Sequence, residues 1–188
     1  IPAVLEEHKE WIVKQLQALA EKQTVELPTE INLRGCDSIY RVEYLYSNQR
    51  LKLIERPQKE LVVYGNISDH VACKALLIKW LRQRTTQILS QQLSAVSLEI
   101  QLPFSKLTVR DQQTVWGSCT RQKAISLSYR LIFLPISLMR HIMIHELSHT
   151  VHLNHSDKFW SLVAKYDPNW QANRLAMRQA NQYMPDWI

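Results

Sequence analysis

The residues able to do chemistry in this 188-residue chain crowd into one segment. Five of its seven histidines lie between His141 and His155. Within that span, His145-Glu146-Leu147-Ser148-His149 forms an HExxH pattern, and His155 follows six residues after the second histidine. Residues four apart on an α-helix share a face, so the imidazoles of His145 and His149 project side by side and can grip one ion. Glu146 sits one step round the helix. It is outside that grip but able to reach a water on the ion's open side, where a general base belongs. His155 supplies a third ligand if the helix ends near His152 and the chain turns back, which Asn154 allows. Three protein ligands with one open position is the catalytic zinc pattern, whereas structural zinc sites close with four. The expected set is His145, His149 and His155 as metal ligands, one zinc ion as cofactor, and Glu146 as catalytic base. His141 lies one turn before His145 and is expected to pack, with a supporting role at the site as the alternative. His152 is either a substrate contact or an exposed turn residue.

These side chains need elements to hold them. Pro135 and Ser137 open the helix that carries the motif, and Leu138, Ile142, Ile144, Leu147 and Val151 supply its apolar positions. Two short alternating segments, 106–110 (KLTVR) and 124–128 (AISLS), read as strands, with Trp116-Gly117-Ser118-Cys119 between them. The spacing predicts an amphipathic helix from about Asp69 to Leu93, capped by Ser68-Asp69, with Val71, Ala75, Ile78, Leu81, Ile88 and Leu89 on its apolar face. Its Lys74, Lys79, Arg82 and Arg84 read as a solvated basic face. Residues 31–65 are short, β-branched and aromatic runs divided by turn formers, and predict a small antiparallel sheet of three or four strands. Residues 3–23 have apolar positions three or four apart and predict a helix. The expected division is an N-terminal helix and β lobe over 1–67 and a core carrying the motif over 68–188.

Composition narrows the chemistry. The three glycines, Gly35, Gly65 and Gly117, are too far apart for a dinucleotide-binding turn or a phosphate loop. Three widely spaced cysteines, Cys36, Cys73 and Cys119, form neither a disulfide framework nor CxxC pairs, and read as reduced thiols in a cytoplasmic protein. No apolar run approaches the ~20 residues of a membrane span. The chain opens on Ile1 rather than Met, which leaves room for an upstream segment. Net charge is +6, and residues 101–188 hold 10 basic against 5 acidic side chains. That bias is either an ordinary basic surface or a face that meets a nucleic acid, a nucleotide or another anion.

The runs WGSC (116–119), AISLSYRLIFLP (124–135) and HIMIHELSHTVHLNHSDKFW (141–160) together resemble the YgjP-like metallopeptidase family. The likeness continues into DPNW (167–170) and Arg174, and reaches back through the basic helix to EEHKEWIVKQL (6–16). The same core is similar to WLM and SprT-like proteases, which act on proteins crosslinked to DNA. The resemblance implies an α+β fold: a minimal zincin-like core, with the HExxH helix packed beside a small sheet, and a β-rich N-terminal lobe. It implies a zinc peptidase acting on peptide or protein substrates, with His145, His149 and His155 matching the family's ligands and Glu146 its base. Val115 stands where the family carries Arg, Ser128 where it carries Asn, and His141 where it carries an aromatic. The family's β lobe usually starts before the helix resembling 3–23, so the strands of 31–65 are expected to replace part of it.

Trp116, Tyr129, Arg130 and His152 are the expected substrate contacts, and Tyr129, Arg130, His152 and Arg121 the candidates for stabilising an oxyanion. The strand at 124–128 is expected to pair with an extended peptide along its edge. Cys119 has no thiolate-stabilising neighbour and is expected to be unreactive. Three other functions remain open on sequence alone: a zinc hydrolase of a nucleotide or other non-peptide anion, a DNA-associated protease, and a binding or structural module that keeps the zinc without turnover.

Overall fold

A computed structural model describes residues 26–188, so the helix expected over 3–23 lies outside the described residues. Four strands open the described chain: β1 (Glu30–Leu33), β2 (Ser38–Tyr46), β3 (Lys52–Arg56) and β4 (Glu60–Gly65). Their order is β1-β2-β4-β3, with β2 and β4 parallel and both outer pairs antiparallel. The sheet is therefore mixed, not antiparallel as expected. The cause is burial. Leu61, Val62 and Val63 of β4 are all buried, so this unbroken apolar run must be covered on both faces and takes an inner position. β3 is almost wholly exposed and moves to the rim.

Helix α1 (His70–Ile100) follows, about 46 Å long at 1.5 Å per residue. Asp69 caps it by accepting a hydrogen bond from the Ala72 amide at 2.9 Å. It runs beyond the expected end near Leu93, because Val96 and Ile100 prolong the stripe formed by Cys73, Leu77, Leu81, Leu89 and Leu93. Val71, expected on that face, is exposed instead. Gln101 in the left-handed region ends the helix, and Pro103 prevents its resumption.

The second sheet contains β5 (Lys106–Arg110), β6 (Gly117–Cys119) and β7 (Ala124–Ser128) in the order β5-β7-β6. β7 pairs with β5 in parallel and with β6 antiparallel. A 3-10 turn, Tyr129–Phe133, leads to α2 (Ile136–Ser148), followed by α3 (Asp157–Tyr166) and α4 (Trp170–Ala176). One apolar core joins α2 and α3 to the second sheet and the C-terminal half of α1. The other lies between the first sheet and the N-terminal half of α1, and draws in Tyr129, Ile132, Phe133 and Trp187. The architecture is α+β: helices with two small mixed sheets. No described helix is long and apolar enough to cross a membrane.

Candidate metal centre

α2 is a core helix. Leu138, Met139, Ile142, Met143, Ile144 and Leu147 are all buried, so packing fixes its rotation about its own axis. That rotation brings His141 and His145 to the wall of a pocket, with His149 next in the same row. The helix stops at Ser148, earlier than the expected end near His152. Hydroxyls tighten its last turn, with Ser148 donating to the Ile144 carbonyl and Thr150 to the Leu147 carbonyl, each at 2.7 Å. A turn at His149–Val151 is followed by a bend at Leu153-Asn154, so the chain does turn back at Asn154, without a left-handed residue there.

This early reversal brings His155 back to the motif. Ligand-capable atoms of His145, His149 and His155 all lie within 4.8 Å of one another. The Nε2 atoms of His145 and His155 are 3.1 Å apart. Two nitrogens on one tetrahedral ion, each at ~2.0–2.1 Å, would stand roughly 3.3 Å apart, so the spacing suits a shared cation. His149 Nδ1 lies 2.9 Å from the His152 carbonyl oxygen. A ring that donates from Nδ1 keeps its lone pair on Nε2, the form a metal needs. Burial is the main cause that lowers His145 to about 3, helped by the neighbouring His149 and His155, and burial also lowers His149. Both rings are thereby held neutral.

Phe159 of α3 stands behind all three imidazoles. It stacks on His149 with centroids 4.5 Å apart and presents edge contacts to His145 and His155 at 4.9 Å each. Trp160 lies against His155 at 5.6 Å and stacks on Trp170 at 4.7 Å. Neither aromatic was assigned a role from sequence, although the adjacent pair four and five residues after His155 was the available signal.

Glu146 is buried, and its Oε2 has no hydrogen-bond partner among the described residues. Burial pushes its pKa up to about 8. It lies against Gly117, where a Cβ would come within 2.7 Å of Oε1 and 2.9 Å of Cδ. Strand β6 is thus pressed onto the carboxylate, and the glycine of WGSC is the residue that permits it. The amide of Ser128 donates to the Trp116 carbonyl at 2.9 Å, fixing the start of β6 against β7.

A pocket of about 250 Å³ opens beside His145 and Glu146, with Trp116, Gly117, His141, Trp160 and Arg174 in its wall. The structure thus brings Trp116 to the site, but not the other expected contacts. Tyr129 is buried in the core beneath the first sheet, because the 3-10 turn after β7 winds it inward. Arg130 faces Asp111 at 3.6 Å, outside the pocket. His152 contributes its carbonyl to His149, and its ring does not line the pocket. Arg121 is exposed beyond β6. β7 has strands on both sides, so the free edge beside the site belongs to β6, not to 124–128. His141 is packed, as expected, and its Nδ1 lies 2.6 Å from Asp167 Oδ2. Burial raises the Cys119 thiol to about 11, which keeps it protonated.

A catalytic-type motif, a three-imidazole cluster and an adjoining pocket now coincide. A profile of the YgjP-like, metallopeptidase domain family matches residues 1–180. The chain belongs to the YgjP-like metallopeptidase family. Membership makes it a hydrolase of peptide bonds and implies a metal ion, which the histidine cluster of this YgjP-like domain could hold. A search of curated proteins gives no match.

Proposed function

We propose that this YgjP-like domain is a zinc-dependent peptidase in which His145, His149 and His155 hold the ion and Glu146 is the general base. The observation that carries this reading is the meeting of three imidazoles beside a buried carboxylate that lacks a hydrogen-bond partner. When bound, zinc supplies a Lewis acid and a water that ionises near neutral pH. The chain's own residues do the rest. Glu146, as its carboxylate, accepts the water's proton and passes it to the departing amine. Gly117 leaves the carboxylate the room it needs to lie against β6. The free edge of β6 offers backbone groups to an extended peptide. Phe159 keeps water away from the rear of the imidazoles.

The test is paired metal analysis and hydrolysis. The purified protein is expected to carry about one equivalent of zinc and to cleave unfolded protein or short peptides, while Glu146→Gln keeps the metal and loses cleavage. Full activity in Glu146→Gln would sink the assignment of the base. Nucleotides and DNA-bound protein serve as further arms, and hydrolysis confined to a nucleotide would replace the peptide reading. The domain division at 67/68 and a cytoplasmic location are part of the same proposal. Expression of residues 68–188 alone tests the division, and cell fractionation tests the location.

A further inference from the structure

The pocket beside Glu146 has a cationic wall. Arg174 of α4 lines it, with its guanidinium carbon 4.5 Å from the Trp160 ring centroid. Trp160 is itself stacked on Trp170, so the guanidinium rests on a layered aromatic support. Such stacking restricts the long side chain in advance and leaves its N–H edge free to donate. Arg174 has no carboxylate partner among the described residues, whereas Arg130 and Arg140 face Asp111 and Glu99.

The nearby acids are otherwise engaged. Asp167 lies behind His141, its Oδ2 at 2.6 Å from the ring, and both its oxygens accept from Asn173 while Oδ1 also accepts from the Asn169 amide. Glu146 lies against Gly117. The remaining wall is largely apolar, with Val115, Ile142 and Met177. At about 250 Å³ the space falls below the usual range for drug-sized ligands, and suits one residue of a chain rather than a long segment.

We propose that this pocket is a carboxylate subsite, in which Arg174 receives a carboxylate of the peptide substrate while the apolar wall takes its hydrocarbon part. A planar guanidinium matches a carboxylate through two parallel hydrogen bonds. Two sources offer that group: the free carboxyl terminus of a peptide and the side chain of an acidic residue. The inference deepens the peptidase reading and rests on it for the identity of the ligand.

Calorimetric binding on the full chain separates the possibilities, using both the protein as purified and the Glu146→Gln variant, in which turnover is blocked. Three N-acetylated tripeptides are compared. One ends in Leu with a free carboxylate, one ends in Glu with a terminal amide, and one ends in Gln with a terminal amide. One of the two carboxylate peptides is expected to bind about 10- to 100-fold tighter than the neutral peptide. Which one does so identifies the source. Arg174→Gln is expected to bring that preference to within about twofold, and Arg174→Lys to restore only part of it. Equal binding of all three peptides would overturn the subsite, as would a preference that survives Arg174→Gln. Cleavage of peptides without carboxylate preference removes the subsite and leaves the peptidase standing. Carboxylate preference in a protein that cleaves no peptide does the reverse.

Discussion

Gly65 closes β4 in the four-stranded sheet, and Gly117 opens β6 in the three-stranded one. Both exclude a side chain, for different reasons. Gly65 has φ +129, and a Cβ there would lie 2.7 Å from the Leu51 Cα and 2.9 Å from the Leu51 nitrogen. Its obstruction is backbone meeting backbone in a turn. Gly117 has no such dihedral constraint, and what its Cβ would strike is the carboxylate of Glu146. The first sheet therefore uses glycine to shape the scaffold. The second uses it to place a functional group. Close approach in the scaffold is a matter of stability, whereas close approach at β6 is a matter of aim.

Four substitutions test that contrast. The largest effect is expected from His149→Ala, which removes a proposed ligand. Zinc measured by elemental analysis should drop well below one equivalent, with hydrolysis lost. Next is Glu146→Gln, for which kcat should fall by about 10²–10⁴-fold while zinc content stays near one equivalent. Gly117→Ala should lower kcat by roughly 10- to 100-fold, because a displacement near 1 Å at a reacting group costs on that order. Its zinc content and melting temperature should stay near those of the parent protein. Gly65→Ala should do the opposite, costing about 1–3 kcal/mol in denaturant unfolding while kcat per folded molecule stays within about twofold. The contrast breaks if Gly65→Ala slows turnover or if Gly117→Ala acts only through unfolding.

Sequence made the candidate site legible because the motif is local. Three of its four residues lie within five positions on one helix and its C-cap, where spacing alone sets the face. The strands at 106–110 and 124–128 were legible for the same reason, since alternation is a short-range signal, whereas the α+β class came with the family resemblance. What escaped was set by distant pairing. The insertion of β4 between β2 and β3 depends on burial from both faces, although its unbroken Leu61-Val62-Val63 run was a hint. The His141–Asp167 pair spans 26 residues, and the fit of Gly117 to Glu146 joins a strand to a helix. Tyr129 and Arg130 looked available because they follow a strand near the motif. Only the winding of the 3-10 turn shows that they face away.

Phe159 is fully buried and touches all three imidazoles of the cluster. Many small zinc domains owe their fold to the ion and collapse without it. Here a ring of carbon, anchored in the apolar core, braces the imidazoles from behind. Folding and loading are thereby expected to be separate events: a chelator should remove the metal with little change in melting temperature, and a divalent salt should restore activity without refolding, which thermal unfolding with and without chelator checks.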